Sequence, residues 1–528
     1  YPIPSFIKGF PYFLKQEGYY TSNNVKTDYN IANEKAFINE AWHESSNKAS
    51  WSGKKENQPF FSVFNFADSH QSRTMSMSFD WYEKYVLNYL PENDKISDNA
   101  FKMPPFYKDS PEMRKQFARV YNSIKLTDNK IGKLLKKLEQ DNLLENTIIF
   151  FFADHGEGMP RGKTNGINYG YRVPFIIKFP EKYKHLSPWG KAGTITDELI
   201  NFEDLAPTII NLANGKTPNY LKGRTLIGKH RDKEKEYLLL SSDRADNGPD
   251  LTRTITDGRF VYSRNFMPFL PELRYINYLE IADITKQMRL DYKNNQLNTL
   301  QKSLFETRSI EVLYDIENDI WETVNLIENP VFKSTLKKMR KQMDKAVIKA
   351  KDVHFLPEYE IGLISKNETP YEYRLDSKKY PFKDIYEAAS LSGKKDKKTL
   401  KRQLKLLKCK NKIVRYWAIL GLMSHDKNVL ENYKKELYNT LKDSYPPVKL
   451  TAAAIVYEIF GDEKSIKILN NYSNSQDANL ALMTINYLLY VKNKNPFTTT
   501  IKLVKEKPNH PYQVKAACND FLALLERS

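Results

Sequence analysis

Residues 143–180, LLENTIIFFFADHGEGMPRGKTNGINYGYRVPFIIKFP, decide how the first half of this chain is read. Residues 147–153 (TIIFFFA) form an apolar run of strand length, and residues 173–179 (VPFIIKF) form another. Between them lies Asp154-His155-Gly156-Glu157-Gly158, a polar turn directly after a strand, where α/β sheets place their sites. The glycines flanking Glu157 let the backbone bend around the charged groups. A carboxylate oxygen and an imidazole nitrogen on such a turn can ligate a divalent cation; the plainer alternative is a helix start with Asp154 as N-cap. Lys163 and Arg172, further along, can bind an anion or stand as solvated surface charges.

Upstream, Phe117, Val120, Tyr121, Ile124, Ile131, Leu134, Leu135 and Leu138 recur at three- and four-residue steps. That spacing predicts one face of a long helix beginning at Ser110-Pro111-Glu112. Residues 60–66 (FFSVFNF) read as a buried strand, closed by Asn65-Phe66-Ala67-Asp68-Ser69-His70. His70 there can donate a proton or serve structure alone. Lys26 sits in a polar turn after an apolar helix over residues 6–14. Strand, long helix, strand predicts an α/β class with a mostly parallel sheet sandwiched by helices.

Downstream, residues 237–241, 259–262 and 312–315 read as short strands of an appended α+β subdomain, followed by a basic helix over 330–351. From residue 386 the pattern becomes all-helical. Val414, Val448, Ala478 and Val514 each open a helix, about 30–36 residues apart, which predicts a HEAT-like solenoid, with an irregular helical bundle as the alternative. The expected organisation is a catalytic α/β domain over 1–235, the α+β subdomain over 236–355, a linker over 356–385 and helical repeats over 386–528.

Among 528 residues, 41% are hydrophobic and 13% aromatic, which supports buried cores and excludes a disordered chain. No apolar run reaches the roughly 18–20 residues of a membrane span. A net charge of +18 fits anionic partners: nucleic acid, an anionic membrane surface or an anionic substrate. The basic run from Lys394 to Lys412 either contacts a polyanion or is a solvated helix face, and no nucleic-acid module accompanies it. Cys409 and Cys518, far apart and without CxxC spacing, exclude a disulfide framework or a zinc site.

Taken in order over about residues 1–330, these segments resemble the sulfatase family of the alkaline-phosphatase superfamily. Residues 143–180, 208–228 (TIINLANGKTPNYLKGRTLIG) and 313–326 (LYDIENDIWETVNL) carry the resemblance. It implies a calcium-dependent sulfuric ester hydrolase acting on sulfated carbohydrate, of a kind commonly periplasmic or secreted. By the same resemblance, Asp154 binds one calcium ion with His155 in the second ligand position, and Lys163 holds a sulfate oxygen. His70 contacts the sulfate and protonates the leaving oxygen. Lys26 matches the lysine of the family's GKWH-type turn, although Asp28 stands where that turn carries histidine. Arg172 is a candidate anion contact; Asp243, Arg244 and Arg253 either line the substrate subsites or form structural ion pairs.

The family's nucleophile, a formylglycine made within C/S-x-P/A-x-R, has no match here, nor do the two aspartates of the family's first strand. The nearest mimic, Ser69-His70-Gln71-Ser72-Arg73, has Gln where Pro or Ala belongs. The expectation is therefore a formylglycine upstream of residue 1, and a chain inactive by itself. Two other functions fit the same residues: a phosphoryl or phosphonate monoester hydrolase of that superfamily, and a non-catalytic glycan-binding pseudoenzyme.

Overall fold

Ser110 caps the long helix Pro111–Gln140 by accepting the Met113 N–H, and Pro111 occupies the first turn, where no N–H is needed. The computed structural model describes residues 1–527. Met113, Phe117, Val120 and Leu126 line the buried face of this helix. The first helix runs Phe10–Gln16, later than expected, because Pro11 sets its first turn and leaves Phe6 outside, 52% exposed.

Ahead of the long helix in the chain is a sheet of three parallel strands, β1 (Tyr20–Asn24), β2 (Glu44–Ser45) and β3 (Phe60–Phe64), in the order β2-β1-β3. Central β1 is the buried strand of the three, and Ser22 and Ser62 pair across it at 2.8 Å. The apolar run after the long helix gives β4 (Ile149–Phe152), which pairs with β5 (Phe175–Lys178). That pair is antiparallel and forms its own two-stranded sheet, so the parallel order covers only the first three strands. The connection from β4 to β5 holds a single helical turn, Asn168–Tyr171, rather than a full crossover helix, and the chain returns in the opposite sense.

β3 and β4 were expected to be buried and are only partly so. Every residue of β3 is half-buried, Phe151 and Phe152 are exposed, and Ile176 on β5 is 58% exposed. Among the described residues each of β3 and β4 has a hydrogen-bonded neighbour on one side only, which leaves their other edges open.

A third sheet, of four antiparallel strands, follows: β6 (Leu238–Ser242), β7 (Thr252–Thr256), β8 (Phe260–Asn265) and β9 (Glu311–Asp315), in sequence order. β7, in which Thr alternates with Arg253 and Ile255, was not foreseen; all five of its residues are buried. The helix Lys333–Ala350 lays Leu336, Met339, Met343 and Val347 against this sheet. The segment expected as a linker is packed instead. Helices Glu358–Ile364 and Phe382–Ala389 bury Ile361, Ile364, Phe382 and Ile385 in the same core, because their apolar residues face the sheet and the tail together.

The tail pairs Lys397–Leu406 with Lys412–Leu422, Lys434–Thr440 with Pro446–Phe460, Glu463–Ser473 with Ala478–Leu488, and Thr498–Glu506 with Tyr512–Arg527. The second helices of successive pairs pack on one another in chain order. Ala452, Ala453 and Ala454 are buried and permit that close approach. One hydrophobic core runs from β7–β9 through the tail to Phe521. Among the described residues no helix is long and apolar enough to cross a membrane.

Candidate active site

Residues 154–172 fold into a tight irregular turn that only glycine permits at several points, Gly156 and Gly162 among them. A Cβ on Gly156 would run into the Tyr169 carbonyl, and one on Gly162 into the Glu157 carbonyl. The crossings are sealed by Gly156 N–H donating to Gly170 O (2.9 Å) and Lys163 N–H donating to Glu157 O (2.7 Å). Lys163 is thereby folded back towards Asp154 instead of trailing into solvent.

The four-stranded sheet and the segments around it hold this turn from outside. The buried Arg161 guanidinium donates to Glu272 (3.0 Å) and to the carbonyls of Trp321 (2.7 Å) and Glu322 (2.6 Å). The Glu322 carboxylate accepts the N–H groups of Asn168 (3.0 Å) and Tyr169 (3.3 Å), and burial pushes its carboxyl up to about 7. Thr254 and Ser263 donate to the Gly166 carbonyl at 2.5 and 2.8 Å. Arg274, fully buried, donates to the Thr164 carbonyl and to Asn165 Oδ1. Of these supports, sequence reasoning singled out only the stretch that holds Glu322; Arg274 gave no signal beyond being a charged residue in an irregular segment.

Three turns then meet. From the loop after β1, Lys26 Nζ stands 3.7 Å from Asp154 Oδ2 and 3.6 Å from Asp28 Oδ2. From the loop after β3 comes His70, whose Nδ1 is fixed by the Ser72 hydroxyl at 2.7 Å, so that Nε2 is the ring nitrogen left for a ligand. From the loop after β4 come Asp154, His155 and Lys163. Lys163 Nζ donates to Gln71 Oε1 at 3.4 Å and lies 5.3 Å from the centre of the Tyr278 ring. Desolvation, then the Lys163 and Lys26 ammonium groups, push His70 down to about 4, while Asp154 pulls the other way. Lys163 itself is lowered, first by burial, against the attraction of Asp154 and Asp246. Lys26, His70, Asp154, His155 and Lys163 therefore stand within electrostatic reach of one another. Ser72, Gln71, Asp246 and Tyr278 join them without having been foreseen; adjacency to His70 was the one signal for the first two.

A calcium ion takes about six to eight oxygen ligands. Asp154 and His155 present one carboxylate and one imidazole, 3.7 Å apart, and among the described residues no three His, Cys, Asp or Glu side chains converge as a metal site. Asp154 and His155 alone do not complete a calcium site; they supply two of its ligands at most, and Lys26 stands 3.7 Å from the Asp154 carboxylate.

The other candidates lie elsewhere. Arg253 is 1% exposed and locked between Asp243 (2.9 Å) and Asp352 (2.5 Å), so its guanidinium cannot meet a substrate; of its two expected roles it takes the ion pair. Asp243 also pairs with His354 at 3.3 Å, and Arg244 with Glu358 at 2.5 Å. Arg172 is exposed and is not among the leading charges that act on His70.

An α/β layer whose loops bring two lysines, a histidine and an Asp-His pair together defines the class. Residues 2–215 match the family model described as Sulfatase. An ulvan-active sulfatase of Formosa agariphila is 33% identical over 382 residues, 68% of this chain and 62% of that protein. Human N-sulphoglucosamine sulphohydrolase is 24% identical over 316 residues, 55% of this chain and 61% of that protein. The chain thus spans less than two thirds of the length of these relatives. A solved 2-O GAG sulfatase aligns with 66% of this chain and 76% of its own at TM-score 0.42 and 16% identity.

Proposed function

We propose that this chain belongs to a sulfatase that hydrolyses sulfate esters of carbohydrate. The convergence of Lys26, His70, Asp154 and Lys163 from three separate turns carries the proposal, and the sulfatase relatives support it. A sulfate monoester needs positive charge on its nonbridging oxygens, a nucleophile at sulfur, and a proton for the departing oxygen. Lys26 and Lys163 supply the charge. His70, oriented by Ser72, supplies the proton through Nε2, with Asp154 and a bound anion offsetting the lysines that depress it. Asp154 and His155 are this chain's contribution to a calcium site, where the ion when bound would add positive charge at sulfate. The C/S-x-P/A-x-R motif from which the family makes its formylglycine does not occur in residues 1–528, so these side chains account for the charge and the proton and not for the nucleophile.

Sulfate binding tests the pocket. Sodium sulfate is expected to raise the melting temperature above sodium chloride of equal ionic strength, and the Lys26→Ala/Lys163→Ala double variant to lose that excess. Equal effects of both salts on the parent chain would refute the pocket. A second measurement tests the missing nucleophile: the purified chain is expected to leave 4-nitrophenyl sulfate intact over days, and steady turnover would refute that part.

A further inference from the structure

Asp520 lies on Tyr512–Arg527, the last helix of the tail, yet its carboxyl is 2% exposed and engaged with the first half of the molecule. It accepts Asn247 Nδ2–H at 2.8 Å and Asn277 Nδ2–H at 2.7 Å. Asn247 Oδ1 in turn accepts the Asn277 N–H at 2.9 Å, which closes a buried ring of three hydrogen bonds. Glu280 and Arg289 also face Asp520, but Arg289 is hydrogen-bonded to Glu280. The carboxyl therefore acts by accepting from two amides rather than by pairing with a cation.

Each of those asparagines is the chain neighbour of a residue that faces Lys163. Asp246 precedes Asn247, and its carboxylate acts on the Lys163 ammonium. Tyr278 follows Asn277, and Lys163 Nζ lies beside its ring. Ala245 and Gly248 exchange backbone hydrogen bonds at 2.8 and 3.0 Å, so fixing Asn247 fixes Asp246 within the same turn.

We propose that Asp520 is a positioning residue for the anion pocket: through Asn247 and Asn277 the terminal helix holds Asp246 and Tyr278 against Lys163, which makes the helical tail part of the pocket's construction. The clamp rests on the sulfatase reading only for the identity of the anion.

Acetylation of Lys163 by acetic anhydride, followed by mass spectrometry of the full chain with and without sodium sulfate, tests the clamp. In the absence of sulfate, Asp520→Ala is expected to raise the Lys163 rate at least about five-fold, the low end of coupling between linked sites. It should also weaken protection by sulfate by a similar factor. Lys515, on the terminal helix itself, should keep its rate, which separates a lost clamp from an unfolded tail. Asp520→Asn should return Lys163 to within about two-fold of the parent, since its amide serves both bonds once Asn277 turns over. A Lys163 rate unchanged in Asp520→Ala overturns the clamp. Absence of sulfate protection in the parent chain overturns the proposed function, while the sulfate-free rates still decide the clamp. If Asp520→Ala does not fold, Asn247→Ala breaks the same ring from the loop side and is expected to raise the Lys163 rate likewise; an unchanged rate there overturns the clamp.

Discussion

Without a bound anion, burial and then two nearby lysines hold the His70 imidazole at about 4 against an ordinary 6.5, which leaves it uncharged at neutral pH. The folded state therefore refuses a proton that the unfolded chain accepts. Stability contributed by this group is complete above pH 6.5 and is lost as pH falls from there towards about 4. His70→Gln removes the titration. Urea denaturation at several pH values is expected to show the parent losing stability faster than the variant through that window, and parallel curves would contradict the placement of His70 between the lysines. Arg253 makes the opposite case, a charge whose partners are already present. Replacing it by Met leaves Asp243 and Asp352 half-buried or buried without their shared cation, and is expected to cost about 3–5 kcal/mol. A loss under about 1 kcal/mol in the same measurement would return Arg253 to the list of candidate substrate contacts.

The turn 154–172 works as a unit, because its glycines, not its charged residues, determine where Lys163 ends up. Gly162→Ala forces a methyl into the Glu157 carbonyl and is expected to open the Lys163 N–H to Glu157 O bond. The predicted outcome is a sulfate-induced rise in melting temperature that disappears, while Gly132→Ala, on the exposed side of the long helix with nothing near its Cβ, leaves it intact. Retained sulfate stabilisation in Gly162→Ala would mean that the turn does not set the lysine. Elements of this kind were partly legible. Ser110 with Pro111 and the apolar spacing after it marked the long helix within a residue, since cap chemistry and periodicity are local. The Asp-His turn was placed for the same reason, as a polar break after an apolar run. What was not legible depended on partners distant in sequence. The turn that precedes the antiparallel β5 is held by Arg161, Arg274 and Glu322 through partners more than 100 residues away, and β7 is buried between two other strands. The half-exposure of β3 and β4 belongs to the same group, because an apolar run does not say how many neighbours its strand has.

At the scale of the whole molecule, the tail is continuous with the rest. Its core runs under β7–β9 through Phe266, Phe355 and Trp417, whose rings meet edge-on or tilted at 4.8 to 6.2 Å, and the Trp417 indole donates to the Phe355 carbonyl at 2.8 Å. Cutting the chain at the expected linker would expose that core, so any role of the tail has to be tested in the full chain. The basic run poses such a question. On the helix Lys397–Leu406, Leu400 and Gln403 face inward, while Lys397, Lys398, Lys401, Arg402 and Lys405 project into solvent, so most of their charge is unneutralised. A dense polyanion can gather such a face by releasing its own counterions, whereas a face that is merely solvated contributes only screened attraction. We propose polyanion contact through this helix, and the Lys398→Glu/Lys401→Glu/Lys405→Glu variant separates the two cases. On immobilised heparin it is expected to elute at lower salt, with the slope of log retention against log salt reduced by roughly two to three, about one for each anion contact removed. Lys26→Ala/Lys163→Ala, which empties the pocket of cations and leaves the tail untouched, is expected to move that slope by less than about one. If the tail variant keeps the parent's slope and the pocket variant loses it, the tail face is solvated charge only, and the chain meets its sulfated partner at the pocket alone.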